Sequence, residues 1–254
     1  MRKEGYIDPT QVERAYVSKF AEEIWSALSA RDLGGKPSVT LQRMVRARIR
    51  LNEIEGYLCQ PNLTVLLCRD VLDLGNRIRD YQYIERYRFV FEGVSREMTV
   101  AFIRHTFHTR HNEVYLIKEK AVKTLAYAAE LANHLGLEAR SQTRGFTDRF
   151  DEAMEYRLRE RHRTAHSHEA PSLTGRALEI GTMATGSENS EEKIQEMLRI
   201  FKPLITTLKE LSPDLFAGGD EKFTENYLRE ADQEAATMWS LLESHIRASL
   251  SLRG

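Results

Sequence analysis

The stretch "NEVYLIKEKAVKTLAYAAELANHLG", residues 112–136, decides the fold class of this chain. Its apolar residues return every three or four positions, which is the spacing of one buried face of an α-helix. Gly136 stands directly after the last of them, where a glycine commonly ends a helix. The stretch therefore predicts a long amphipathic helix whose buried face comprises Val114, Ile117, Ala121, Leu125, Ala128, Leu131 and Leu135.

The sequence before this stretch shows the same helical spacing. One segment begins after Asp8 and Pro9, a second covers residues 39–58, and a third restarts after Pro61 and Asn62. Residues 81–105 alternate in places as a strand would, but we predict a helix there because the wider spacing fits one. The predicted buried residues of the first helix are Val12, Tyr16, Phe20, Ile24 and Leu28. The arginines of the second segment are interpreted as a solvated face, namely Arg43, Arg46, Arg48 and Arg50.

Three further helices are predicted after residue 136. The first carries Phe150, Met154 and Leu158 on its buried face and ends before Pro171. A connection rich in Gly, Ser and Thr, residues 172–190, leads to a helix capped by Ser190. The last helix runs from Phe223 to about Leu250. A Gly-rich phosphate loop and a strand-helix alternation are both missing from the sequence, so we predict an all-α multi-helix bundle rather than a nucleotide-binding α/β fold.

Composition limits the classes of partner. The chain has 37 Lys and Arg residues against 38 Asp and Glu residues, a net charge of -1, so a nucleic-acid site must be a local patch. Neither a signal peptide nor an apolar run long enough to cross a bilayer is present in the sequence. Cys59 and Cys68 lie in apolar helical pattern and are interpreted as reduced, buried thiols. We therefore expect a soluble, cytoplasmic protein with no membrane partner.

Arginine and histidine concentrate in "RERHRTAHSHEAPS", residues 159–172. An arginine precedes a histidine by five positions three times in and just before this stretch, whereas chance gives about one such pair in a chain of this composition. The three overlapping pairs are Arg157 with His162, Arg161 with His166, and Arg163 with His168.

The sequence "RHRTAH", residues 161–166, resembles the motif of HEPN domains, an arginine, a polar residue, three variable residues and a histidine. The preceding context is similar too, with a long helix ending in "ANHLGL", a loop, and a helix leading into the motif. The resemblance extends over residues 96–170. It implies a HEPN-like bundle over residues 96–254, with an additional helical region over 1–95. It also implies a metal-independent RNA endonuclease that pairs as a homodimer, so that two motifs face one cleft.

One of the three arginine–histidine pairs matches the HEPN pattern well. Arg161 is followed by the polar His162, whereas Arg157 is followed by the apolar Leu158, and the third pair lies close to Pro171. The resemblance therefore assigns catalytic roles to Arg161, His166 and His162. The other basic residues predicted to contact substrate are Arg157, Arg163, His168, Arg104 and Arg110.

The chemistry of RNA cleavage agrees with this choice of residues. RNA supplies its own nucleophile, the ribose 2′-hydroxyl, so a histidine can move the protons and an arginine can stabilise the charged phosphorane. No metal or cofactor is expected. Five residues rotate an ideal helix by about 140°, so either the helix end unwinds or a second subunit completes the site.

Several alternatives stay open. Arginines and histidines at a helix end can simply stabilise the negative end of the helix dipole, with Glu160 pairing nearby cations. His105, His108 and His111 have a spacing that could direct three imidazoles to a metal ion. The chain could also be a non-catalytic module that binds RNA or a protein, or a structural subunit of a helical assembly. The sequence does not decide among a toxin with an antitoxin partner, a phage-defence protein and an RNA-processing enzyme.

Overall fold

A computed structural model describes residues 12–31, 36–49, 62–87, 96–137, 139–140, 142–166, 191–219 and 222–252. These residues form helices and no strand, which confirms the predicted all-α class. None of the described helices is long and apolar enough to span a membrane. The α-helices are α1 (Arg14–Leu28), α2 (Val39–Arg48), α3 (Leu63–Tyr87), α4 (Arg96–His134), α5 (Thr143–Ala153), α6 (Glu155–His166), α7 (Glu191–Leu211) and α8 (Phe223–Leu250). Two short 3-10 helices, η1 (Ser29–Arg31) and η2 (Pro213–Phe216), follow α1 and α7.

The chain divides into two compact units, each assembled from separated segments. Unit 1 comprises residues 1–79, 116–153 and 235–254, and unit 2 comprises residues 80–115 and 154–234. Each unit thus takes residues from both sides of position 95. The predicted division into residues 1–95 and 96–254 stays a prediction.

The helix predicted from residues 112–136 is the second half of α4, and it ends as its sequence indicates. Gly136 has a φ of +75°, a conformation that glycine adopts without steric cost. The amide of Leu137 donates to the carbonyl of Ala132 at 2.8 Å, and that of Gly136 donates to the carbonyl of Asn133 at 3.1 Å. This pair of bonds is a Schellman motif, which satisfies the carbonyls that the last turn leaves open. The predicted buried face is confirmed for all its residues except Leu135, which is half-buried.

A helix begins after Asn62, as the sequence predicts. The Oδ1 of Asn62 accepts hydrogen bonds from the amides of Thr64 at 3.0 Å and Val65 at 3.2 Å, so it caps the N-terminus of α3. The helix predicted over residues 39–58 is observed as far as Arg48, and residues 50–61 lie outside the described residues. The helix predicted over residues 81–105 is observed over 81–87 and 96–105.

The observed buried face of α1 differs from the predicted one at one position. Tyr16 is 49% exposed, and the adjacent Val17 is buried instead. The Tyr16 hydroxyl donates to Glu243 Oε2 at 2.8 Å, and its ring meets Trp239 edge to face with 6.3 Å between centroids. A tyrosine at the rim keeps its hydroxyl near water while its ring packs, so the helix turns Val17 inward. The other buried residues of α1 are Phe20, Ala21, Ile24 and Leu28.

The prediction that the arginines of α2 form a solvated face is wrong for Arg48. Arg43 and Arg46 are exposed, but the Arg48 side chain is 11% exposed and its Nε lies 2.7 Å from Asp70 Oδ2. Its Nη2 donates to the carbonyl of Lys123 at 2.8 Å, and its guanidinium carbon lies 4.2 Å from the ring centroid of Tyr127. Arg48 therefore links α2 to both α3 and α4 inside unit 1, whereas Arg50 lies outside the described residues.

Cys68 is a free, half-buried thiol in α3. Its Sγ donates to the carbonyl of Ala21 at 3.3 Å, and burial raises its pKa to about 11. The thiol is therefore protonated at neutral pH and is a poor nucleophile. Cys59, the other predicted buried thiol, lies outside the described residues.

Gly75 allows α3 to approach α1 closely. A Cβ added at Gly75 would lie 2.3 Å from Cγ1 and 2.8 Å from Cγ2 of Val17, and valine in a helix is restricted to one χ1 rotamer. We expect Gly75→Ala to destabilise the protein by about 1 to 3 kcal/mol, although alanine is intrinsically the better helix former. Urea denaturation followed by circular dichroism measures this change.

Gly145→Ala is the matched control, because a Cβ at Gly145 in α5 meets its nearest atom, His245 Nε2, at an ordinary 3.8 Å. This variant should be as stable as the wild type or more so. Adding Val17→Ala to Gly75→Ala should recover part of the loss. Equal stability of the two glycine variants would show that the contact with Val17 does not limit the packing of α1 on α3.

Candidate functional site

Helix α6 carries the predicted motif and begins directly after a turn at Met154. The sequence predicts one helix through Phe150, Met154 and Leu158, but this turn separates α5 from α6. Phe150 and Met154 are buried as predicted, whereas Leu158 is half-buried and Arg157 is 4% exposed. The buried face thus continues three residues after Met154, at an arginine, rather than four residues after it, at a leucine.

Arg157 forms the central ion pair of unit 2. Its Nε lies 2.7 Å from Glu234 Oε1, and its Nη2 lies 3.5 Å from Glu230 Oε1, so two carboxylates of α8 face one guanidinium. Glu234 also accepts a hydrogen bond from the hydroxyl of Tyr81 in α3. Arg157 was predicted to contact substrate, and the structure places it in this internal network.

Arg159 lies on the opposite, exposed side of α6. Its guanidinium bonds the carboxylate of Glu155 one turn earlier, and both side chains are well exposed. Such a pair in water contributes only a few tenths of a kcal/mol. His162, a predicted catalytic residue, is exposed as well.

Arg161 has a different environment from both. It is half-buried, and its guanidinium carbon lies 3.7 Å from the ring centroid of Tyr115 in α4. Its Nε is buried and has no hydrogen-bond partner among the described residues, and no described carboxylate lies within ion-pair distance. Stacking occupies the face of the guanidinium and leaves its in-plane N–H groups as hydrogen-bond donors.

The structure does not describe the side chains of the remaining predicted site residues. Positions 163 and 166 are helical, as are positions 104 and 110, but the side chains of Arg163, His166, Arg104 and Arg110 lie outside what the structure describes. His168 lies wholly outside it, as do the side chains of His105, His108 and His111. Within the part of the chain that is described, no three or more His, Cys, Asp or Glu residues are grouped so as to hold a metal ion.

Sequence reasoning missed the residues that hold the arginines of α6. Tyr115 lies beside the buried Val114 on α4, and Glu230 and Glu234 are one turn apart on α8. The one available signal was the spacing of these two glutamates, which places both carboxylates on the same face of a helix. Nothing in the sequence links them to Arg157, which precedes Glu234 by 77 positions.

Comparison of the chain with models of protein families, with curated proteins and with solved structures gives no match. The relation to HEPN domains that the motif and residues 96–170 suggest therefore stays a prediction.

Because Arg157 forms a buried ion pair, we expect substitutions at neighbouring positions of α6 to lower the free energy of unfolding by different amounts. Arg157→Ala leaves the carboxylate of Glu234, whose side chain is 14% exposed, without its cation, and should lower the free energy of unfolding by about 3 to 5 kcal/mol. Leu158→Ala should cost about 1 to 2 kcal/mol, since this side chain is only half-buried. Urea denaturation of each variant gives the comparison.

Arg159→Ala is the control, because its ion pair is exposed, and it should shift stability by less than about 0.5 kcal/mol. Replacing both partners, as in Arg157→Met with Glu234→Met, should cost much less than Arg157→Ala alone. If Arg157→Ala is as mild as Arg159→Ala, the ion pair does not hold α6 in place.

Proposed function

We propose that this chain is a metal-independent RNA endonuclease of HEPN type, with Arg161 binding the scissile phosphate. The observation that carries the proposal is the state of Arg161. Two of the arginines of α6, Arg157 and Arg159, face carboxylates, whereas Arg161 stacks on Tyr115 with a buried Nε that no described group satisfies. A phosphate bound at this guanidinium would match its charge and accept hydrogen bonds from its accessible N–H groups.

The proposed reaction needs one cation and one group that exchanges protons. His166 removes the proton from the 2′-hydroxyl, the 2′-oxygen forms a bond to phosphorus, and the bond from phosphorus to the 5′-oxygen breaks. The leaving 5′-oxygen takes a proton from water, which recovers one from the protonated His166, so the products are a 2′,3′-cyclic phosphate and a 5′-hydroxyl. Arg161 stabilises the added negative charge on the phosphorane, and the exposed His162 assists.

The helical path of α6 supports a site shared between two chains. The backbone is helical from position 161 to position 166, so these two positions are about 140° apart around the axis of α6. An arginine and a histidine on such different sides of one helix do not reach the same phosphate from a regular helix. A homodimer in which Arg161 of one protomer acts with the partner's His166 removes this difficulty.

We expect the purified protein to cleave single-stranded RNA in EDTA and to leave DNA intact, because the 2′-hydroxyl and an imidazole need no metal ion. His166→Ala should lower the cleavage rate by about 100-fold to 10,000-fold while changing RNA affinity much less. Arg161→Ala should lower both rate and affinity. Gel-based cleavage and fluorescence anisotropy measure the two quantities, and product ends are identified by mass spectrometry.

Arg159→Ala is again the matched control, since it removes a cation from the same helix, and its cleavage rate should stay near that of the wild type. RNA binding without cleavage would favour the non-catalytic binding module. Loss of cleavage in EDTA would favour a metal site that includes His105, His108 and His111. Unfolding of His166→Ala, seen by circular dichroism, would favour a purely structural role for the motif.

Mixing inactive variants tests the shared site. In a symmetric dimer, Arg161→Ala and His166→Ala protomers together rebuild one of two composite sites, so an equimolar mixture that exchanges subunits should regain about a quarter of the wild-type rate. Each variant alone should stay inactive. A strict monomer in light scattering, or a mixture that remains inactive although mass spectrometry shows mixed dimers, would contradict the shared site.

A further inference from the structure

Unit 2 contains a cavity of about 650 Å³ between α6, α8 and the segment around η2. Tyr156 and Arg157 line it from α6, and Asn226, Glu230 and Gln233 line it from α8. We propose that this cavity binds one unpaired nucleobase of RNA, held beside the phosphate at Arg161. This inference rests on the proposed function and adds a base-binding subsite to it.

The size of the cavity suits a single nucleotide. Sites for small organic ligands usually measure about 300 to 1,000 Å³, and this cavity lies within that range. It is too small for a folded partner or a helix. Its walls come from two helices and a pinned loop, so the space exists before a ligand enters.

The charges in and around the cavity lining disfavour a phosphate or another anion. Arg157 and Arg229 are offset by Asp214 and Glu230 in the lining itself. Both arginines are also paired with further carboxylates, Arg157 with Glu234 and Arg229 with Glu225. A phosphate gains little in such surroundings, whereas a nucleobase presents hydrogen-bonding edges and carries no charge.

The polar groups of the lining provide both hydrogen-bond donors and acceptors. The side-chain nitrogen of Asn226 donates to the carbonyls of Leu215 at 3.2 Å and Ala217 at 2.9 Å, which pins the segment around η2 against α8. The Oδ1 of Asn226 then remains as its acceptor, and Gln233 and Ser212 line the same space. A base edge offers the complementary alternation of donors and acceptors.

Tyr156 provides a stacking surface at the cavity. It is 50% exposed, and the Arg157 guanidinium carbon lies 5.1 Å from its ring centroid. Stacking on an aromatic ring is the common way in which proteins hold unpaired bases. An exposed tyrosine fixed beside a rigid arginine therefore suits a base better than it suits a flexible aliphatic ligand.

The position of the cavity on α6 connects it to Arg161. Arg157 lines the cavity, and Arg161 follows one helical turn later on the same face, about 6 Å along the axis. A base in the cavity and a phosphate at Arg161 would thus be neighbouring parts of one RNA strand. In this arrangement the cavity would bind the base, and Arg161 would bind the phosphate.

Saturation-transfer difference NMR on the full-length protein tests the cavity with defined probes. The probes are adenosine and uridine 5′-monophosphates, ribose 5-phosphate, a single-stranded RNA hexamer, and the same hexamer with one abasic ribose. We expect base protons to give the strongest signals, ribose 5-phosphate to give much weaker ones through its phosphate, and the intact hexamer to bind more tightly than the abasic one. Tyr156→Ala should weaken binding of the hexamer about 5-fold to 150-fold, the usual effect of losing one stacked base.

Tyr156→Phe keeps the ring and should bind like the wild type, and Arg159→Ala removes a cation of the same helix outside the cavity. Binding of ribose 5-phosphate equal to that of the nucleotides, unchanged binding by Tyr156→Ala, or binding of free nucleotides without the hexamer would each overturn the base subsite. Cleavage assays separate this result from the proposed function. Cleavage with no effect of Tyr156→Ala on hexamer binding rejects the cavity alone, whereas base-dependent hexamer binding without cleavage rejects the endonuclease and keeps the subsite.

Discussion

The ion pair between Arg157 and Glu234 fixes the orientation of α6, and the candidate site depends on that orientation. A buried guanidinium needs acceptors for its hydrogen bonds and a partner for its charge, and Glu234 accepts at 2.7 Å while also receiving the Tyr81 hydroxyl. Rotation of α6 about its axis would leave a charge buried without its partner. Because the helical period is fixed, holding position 157 against α8 also determines which side of the helix presents position 161.

The arginines of α6 show how one residue type takes different roles through its surroundings. Arg157 is held by carboxylates, Arg159 pairs with Glu155 in water, and Arg161 rests on an aromatic ring. Carboxylates offset the charge of Arg157, and water solvates the charge of Arg159. Arg161 is partly removed from water, and no described carboxylate offsets its charge.

The sequence predicted the helices well because their apolar residues follow a regular period. It correctly predicted that one helix ends at Gly136, that another begins after Asn62, and where α8 begins and ends. It was wrong about Arg48 and Leu158, because periodicity indicates which side of a helix is apolar and does not show whether a charged residue has a distant partner. Arg48 depends on Asp70, 22 positions away, and such pairs form only in the folded chain.

The same limit applies to the candidate site. The choice of Arg161 over Arg157 came from the residue that follows each of them and from a resemblance, and the sequence offered no view of their surroundings. Tyr115, Glu230 and Glu234 give those surroundings, and all three come from other helices. Residue types and spacing can therefore propose an anion site, but the distribution of neighbouring carboxylates decides which cation remains suited to it.

The structural alternative, in which the basic residues only stabilise the end of a helix, requires them to meet the last carbonyls or the dipole of that helix. Arg161 is directed to the ring of Tyr115 and makes no hydrogen bond to a carbonyl among the described residues. Helix α6 also continues through position 166, so the carbonyls near position 161 are used within the helix itself. A capping role would give the Nε of Arg161 an acceptor, but this atom is buried and has no hydrogen-bond partner among the described residues.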